Sequence, residues 1–352
     1  MDINCDHGIG EARSHSEKST HASLEVPHIM KEIMLDKVIR QLGNRTDGVI
    51  RFGQKADCSH FEIPVIIIKG SKAGPTLLAD GATHGDETEG SEAILRIARD
   101  YESGGFAGTF VGVPALNMEA FSLVRRASLT DGFNLNRIFP GNKDTYITHR
   151  LAAVYTERVL SAVDAAICFH GGGDVLHLEP LCGYIPGGEC GEKARAMAEA
   201  FNAGYVWRIT NLPFGGMTAH TCVDMGVPCV IPEIGSHCSR LHNRQRDIQT
   251  CYQGIKNIMI SLEMLEEKAP GRVKQMAIEL HYLHAYNGGI QTPVRQPNEI
   301  VEKGETLCVM QDIFGNQIEE MKAPWRGVVI GFWTVPVIHP GDWWSLYGKI
   351  LD

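Results

Sequence analysis

The segment Thr83-His84-Gly85-Asp86-Glu87-Thr88 places an imidazole and a carboxylate three residues apart. It follows the apolar run Thr76-Leu77-Leu78-Ala79, through Asp80-Gly81-Ala82. It precedes Glu89 to Asp100, where Ala93, Ile94, Ile97 and Ala98 recur at helical spacing. A strand thus delivers His84 and Glu87 to a turn at its carboxyl end, where open α/β sheets place their ligands. His-x-x-Glu can hold a zinc ion whose third protein ligand, another His, comes from elsewhere in the chain. Four residues alone are not specific, so a third ligand and a base must be found.

Val163-Asp164-Ala165-Ala166-Ile167-Cys168-Phe169 repeats the pattern and ends in His170-Gly171-Gly172-Gly173-Asp174. Its glycines let a ligand approach the backbone. A His capping a Gly-rich turn is the plainer reading of one such site, but two strand-end His in one chain favour His170 as the third ligand. The strand Val227–Pro232 ends at Glu233. This carboxylate is either a solvated loop group or a general base beside the metal. The stretch from Arg125 to Gly141 holds Arg125, Arg126, Asn134, Asn136 and Arg137 with little helical periodicity. It is long for a mere connection, and long structured loops often carry function.

The positioning elements follow from pattern. Gly48–Phe52, Phe61–Ile68 and Thr109–Ala115 read as strands, with a turn over Lys69–Pro75. Thr148–Ser161, Glu192–Asn202 and Gln245–Glu267 read as helices, and Thr218–Thr221 leads into the strand before Glu233. After about Met276, closely spaced turn signals predict a small β-barrel or sandwich. Its segments Val301–Glu305, Ala323–Val329 and Val337–Asp342 resemble the hammerhead pattern of biotinyl/lipoyl-type domains, with Lys322 expected to be unmodified. The expected domains are a peripheral N-terminal extension over 1–45, a catalytic α/β domain over 46–275 and a C-terminal β domain over 276–352. A helix over Glu32–Leu42 is expected within the extension.

The 352 residues, 43% hydrophobic and 21% charged, are those of a soluble globular protein. A net charge of −9 argues against a nucleic-acid partner. No apolar run reaches the roughly 18 residues of a membrane span. The polar N-terminus lacks a secretory core, so the expected location is cytoplasmic. None of the ten cysteines forms a Cys-x-x-Cys pair, and they read as free thiols.

In combination and order, His84-Gly85-Asp86-Glu87, Asn134-Leu135-Asn136-Arg137-Ile138-Phe139-Pro140-Gly141, the strand-end His170 and Pro232-Glu233-Ile234-Gly235 resemble the succinylglutamate desuccinylase/aspartoacylase family, a branch of the zinc carboxypeptidase-like fold. The resemblance covers about residues 60 to 350. It implies an α/β protein, a three-layer α/β/α sandwich with a mixed sheet plus a small C-terminal all-β domain. It implies one Zn2+ per chain on His84, Glu87 and His170, with water in the open position. Glu233 matches the general base. Arg137 with Asn136 matches the pair that grips the substrate's free carboxylate. An upstream Arg polarises the scissile carbonyl, with Arg126 preferred to Arg125. Asn134 stands where the family often has Asp, so it keeps a hydrogen-bonding role toward substrate but no charge. Asp86 is expected to orient a ligand rather than bind metal.

The expected activity is zinc-dependent hydrolysis of the amide of an N-acyl amino acid or similar small carboxylate. The alternatives are a metallocarboxypeptidase acting on short peptides and an inactive binding protein of the same fold. The expected partner is a small molecule, with homo-oligomerisation left open. His177, Glu179 and His220 are candidate specificity groups. The motifs do not name the acyl group or the amino acid.

Overall fold

Side-chain alternation along the strands decides the layers. Along His60–Lys69, Val65 and Ile67 join one apolar cluster while Ile66 and Ile68 join another, as period-two geometry requires. The computed structural model describes residues 32–35, 45–210, 212, 214–237 and 243–351.

In chain order the first strands are β1 (Arg45–Gln54), β2 (His60–Lys69), β3 (Lys72–Asp80), β4 (Ala107–Val113), β5 (Ala165–Cys168) and β6 (Leu176–Leu178). Next come β7 (Leu181–Tyr184), β8 (Tyr205–Arg208), β9 (Cys229–Glu233), β10 (Met276–His284) and β11 (Gly289–Pro293). Then follow β12 (Ile300–Val301), β13 (Thr306–Gln311), β14 (Gln317–Lys322), β15 (Gly327–Trp333), β16 (Val337–Ile338) and β17 (Trp343–Ile350). The helices are α1 (Glu89–Asp100), α2 (Met118–Ser122), α3 (Ile147–Arg158), α4 (Gly188–Phe201), α5 (Thr218–Asp224) and α6 (Arg244–Ser261).

The large sheet runs β1-β2-β4-β3-β5-β9-β7-β8-β10-β17-β15-β12, with β6 paired to β15. It is mixed: β3 is parallel to β4 and β5, β5 is parallel to β9, and β7 is antiparallel to β9. Ile94 and Ile97 of α1, Phe201 of α4 and Ile255 and Ile258 of α6 bury against one face. Leu151 and Tyr155 of α3 and Cys222 of α5 bury against the other. Each fully buried side chain of this size contributes about 1.5–3 kcal/mol. The result is the three-layer α/β/α arrangement. The C-terminal strands extend it, because β10 pairs in parallel with β8 and leads on to β17 and β15. A second sheet, β14-β13-β11-β16, packs there. Leu307 and Met310 of β13 share a cluster with Trp344 and Tyr347 of β17.

Several local expectations are corrected. The turn predicted over Lys69–Pro75 shrinks to Gly70 and Ser71, and β3 starts at Lys72. A Cβ on Gly70 would lie 2.1 Å from the Phe106 carbonyl oxygen, so only glycine allows that tight approach. Thr218–Thr221, which leads into β9, forms the first part of helix α5. α6 stops at Ser261, short of the predicted Glu267. The predicted helix over Glu32–Leu42 lies largely outside the described residues. Within the extension expected over 1–45, Ile33 and Leu35 are core residues, and the Ile33 amide donates to the Val49 carbonyl at the sheet edge. The described cysteines are free thiols. No described helix is long and apolar enough to cross a membrane.

Candidate active site

Three adjacent parallel strands converge on one edge. β3 leads to His84 and Glu87, β5 leads to His170, and β9 ends at Glu233. His170 and Glu233 are locked together through backbone: the His170 amide donates to Pro232 O at 2.8 Å, and the Ile234 amide donates to His170 O at 2.9 Å. The turn between β3 and α1 is pinned because the Gly85 amide donates to Arg125 O at 2.8 Å. A Cβ on Gly85 would meet the Ala120 carbonyl carbon at 2.0 Å, so this turn requires glycine. Asp86 forms no hydrogen bond to His84, Glu87 or His170 themselves. Its Oδ2 accepts the Asp174 amide at 3.1 Å and so ties the His84 turn to the loop after His170.

Glu87 stands between the two imidazoles. Its Oε1 lies 2.8 Å from His84 Nδ1 and its Oε2 lies 2.9 Å from His170 Nδ1. All three residues are buried, and one donor atom from each lies within 4.8 Å of the others. Asn134 Oδ1 accepts the Asn136 amide at 2.9 Å, which fixes its orientation. The same oxygen lies 3.0 Å from His84 Nε2, so His84 carries its proton on Nε2. Burial, helped by the charge of Arg126, pushes His84 down to about 4. Two imidazoles with a carboxylate are donors that suit zinc. Burial alone would raise Glu87, but His84 and His170 outweigh it and hold it well below the usual carboxylate range.

Glu233, Arg126 and Arg137 line the same cavity as His84, Glu87 and His170. Glu233 is half-buried. Its carboxyl is pushed up to about 7, chiefly by burial; His170, Arg126 and Arg137 pull it back while Glu87 adds to the rise. Arg126 Nη1 donates to Glu87 Oε1 at 2.9 Å. Arg137 Nη1 donates to the Asn136 carbonyl at 2.8 Å, and its Cζ lies 3.6 Å from the Phe214 ring centroid. Burial first, then Arg126, pushes Arg137 down to about 10. Among the described residues no carboxylate forms an ion pair with it.

The structure thus gathers His84, Glu87, His170, Glu233, Arg126 and Arg137 around one cavity. Arg126 lines this cavity, whereas Arg125 lines an outer pocket that Arg126 also borders. Asn134 does not line the cavity, because its oxygen is taken by His84 and the Asn136 amide. Asn136 lines it with both side-chain polar atoms engaged: Oδ1 accepts the Thr218 amide at 3.0 Å, and Nδ2 lies 3.1 Å from His170 Nε2. His177, Glu179 and His220 do not line it. Sequence reasoning missed Phe214, Tyr282 and Trp343, which wall the cavity. Tyr282 and Trp343 arrive on β10 and β17, and no local motif marks them. It also missed Asp80 at the end of β3, whose Oδ2 accepts the Tyr155 hydroxyl at 2.7 Å.

Residues 73–262, over half the chain, match the succinylglutamate desuccinylase/aspartoacylase catalytic domain. The chain belongs to this family. Similar proteins include the N-alpha-acetyl-L-2,4-diaminobutyric acid deacetylase of Halomonas elongata, 29% identical over 299 residues, which are 82% of this chain and 86% of that one. The product-bound structure of the ectoine utilization protein EutE (DoeB) of Ruegeria pomeroyi superposes with a TM-score of 0.81 at 26% identity, covering 88% of this chain and 96% of that one. A succinylglutamate desuccinylase from a Silicibacter species gives 0.80 at 25% identity, covering 89% and 97%.

Proposed function

We propose that this chain is a zinc-dependent deacylase that hydrolyses the amide of a small N-acyl amino acid. The observation that carries this reading is Arg137, a half-buried guanidinium with no ion-pair partner among the described residues, in one cavity with the His84-Glu87-His170 set. A substrate carboxylate supplies the missing partner. The planar fork of Arg137 binds it in a bidentate manner that Lys cannot copy, and Phe214 holds the guanidinium plane in place.

Zinc on His84, Glu87 and His170 would supply Lewis-acid polarisation of the scissile carbonyl and a water whose pKa is lowered to about 7. Glu233 takes the proton of the attacking water and passes it to the amide nitrogen as the C–N bond breaks. The products are a carboxylate from the acyl group and the free amine of the amino acid. Arg126, anchored on Glu87, donates to the carbonyl oxygen as negative charge builds there. Tyr282 and Trp343 narrow the cavity, which favours a small N-acyl amino acid over a longer peptide. The relatives named as a deacetylase and a desuccinylase support the same reaction class.

The reading is tested by a panel of N-acetyl and N-succinyl amino acids set against dipeptides, assayed with the zinc-loaded protein. Turnover of at least one N-acyl amino acid above every dipeptide is expected. Turnover of dipeptides alone would establish a carboxypeptidase instead.

A further inference from the structure

Three aromatic rings of the catalytic cavity lie in mutual contact and bridge its two arginines. Arg137 Cζ lies 3.6 Å from the Phe214 ring centroid. Phe214 lies 6.4 Å from Trp343, their planes 23° apart, and 6.3 Å from Tyr282. Tyr282 and Trp343 are 4.6 Å apart, centroid to centroid. Arg126 Cζ lies 6.0 Å from the Trp343 ring. All three rings are half-buried, so each keeps surface open to a ligand. They pack on the apolar cluster that holds Leu178, Leu280 and Leu346, which continue the lining. The charged and amide side chains of this cavity are already engaged. His84, Glu87 and His170 form the metal group, and Arg126 and Asn136 bond to protein. Glu233 is the base and Arg137 the carboxylate clamp. The Tyr282 hydroxyl stays neutral, because burial, then the Glu233 charge, raise it.

We propose that Phe214, Tyr282 and Trp343 are specificity residues: the amino acid of the substrate carries an apolar side chain that packs against these rings. This deepens the deacylase reading and rests on it. In an N-acyl amino acid the side chain branches from the one carbon between the carboxylate and the scissile amide. With the carboxylate on Arg137 and the amide carbonyl beside Arg126, that carbon lies along the rings that join the two arginines. An aliphatic side chain there exchanges water for aromatic and leucine surface. An amide side chain loses water without a partner. A carboxylate or ammonium side chain is worse placed, because no counter-ion in this cavity is left to pair with it.

The test uses the zinc-loaded full chain and three side chains of nearly one shape: the N-acyl derivatives of leucine, asparagine and aspartate. Each carries whichever acyl group, acetyl or succinyl, is turned over better. The kcat/KM for leucine is expected to exceed that for asparagine by about 10- to 100-fold, the penalty of an amide left unpaired out of water. Aspartate should be poorer still, and Nα-acyl-2,4-diaminobutyrate should also fall below leucine. Trp343→Gln puts an amide into the wall and should bring the leucine-to-asparagine ratio to within about 3-fold. The ratio is taken within one protein, so a general loss of activity does not move it. If Trp343→Gln does not fold, Tyr282→Asn makes the same change from β10. A leucine-to-asparagine ratio near one, a preference for aspartate or diaminobutyrate, or a ratio undiminished in the folded variant would overturn the proposal while leaving the deacylase reading standing. If no N-acyl amino acid is turned over, the deacylase reading itself falls, and this proposal falls with it.

Discussion

Replacing Glu233 by Gln should lower kcat by about 10²- to 10⁴-fold, the usual contribution of a positioned general base. Gln keeps the shape and burial of Glu but cannot accept a proton. Glu233 is well placed to be that base: it ends β9, its neighbour Ile234 is bonded to the backbone of His170, and it lines the cavity with Arg126 and Arg137. Burial brings its carboxyl up to about 7, near the pH at which a base works best. Glu233 lies outside the His84-Glu87-His170 group that could hold a metal ion, so zinc content should be unchanged in the variant. Steady-state kinetics on the best N-acyl amino acid, with metal analysis of the same sample, checks both halves. Full activity in Glu233→Gln would remove Glu233 from the chemistry.

Replacing Arg137 by Lys should cost about 2–4 kcal/mol in kcat/KM, or roughly 30- to 1,000-fold, because a desolvated, hydrogen-bonded charge pair is lost. Charge alone is not enough here. The guanidinium sits over the Phe214 ring and donates one N–H to the Asn136 carbonyl, leaving its remaining donors for a planar carboxylate. Lys offers a point charge on a flexible stem. The loss should be largest for substrates with a free carboxylate and small for the matching amides. Michaelis kinetics on one N-acyl amino acid and its carboxamide measures that difference. An equal loss on both would show that Arg137 does not read the carboxylate.

The chemistry-bearing residues were legible because each follows a recognisable apolar strand. His84, His170 and Glu233 sit where Leu77–Ala79, Ala165–Cys168 and Cys229–Ile231 run out, and hydrophobic runs are a local signal. The order of those strands was not legible. β4 lies outside β3, and β7 enters antiparallel beside β9, through pairings that no local pattern encodes. The cavity walls were hidden for the same reason. Tyr282 and Trp343 come from strands far along the chain, in a region read only for its turns. Asn134 shows a different limit. The sequence revealed a polar group near the site, but only the structure shows its oxygen turned to His84 and the Asn136 amide rather than to the cavity. For Asp86 the sequence suggests a support for the metal ligands, and its bond to the Asp174 amide depends on a loop contact formed only when β3 and β5 lie side by side.

The most direct measurement is metal dependence of turnover on a single N-acyl amino acid. Zinc removed by chelation should abolish hydrolysis, and about one equivalent of Zn2+ per chain should restore it. Glu87→Ala, which leaves only the two imidazoles, should fail to recover under the same additions. Undiminished hydrolysis by metal-stripped protein, or full recovery of Glu87→Ala, would contradict a metal centre built on His84, Glu87 and His170.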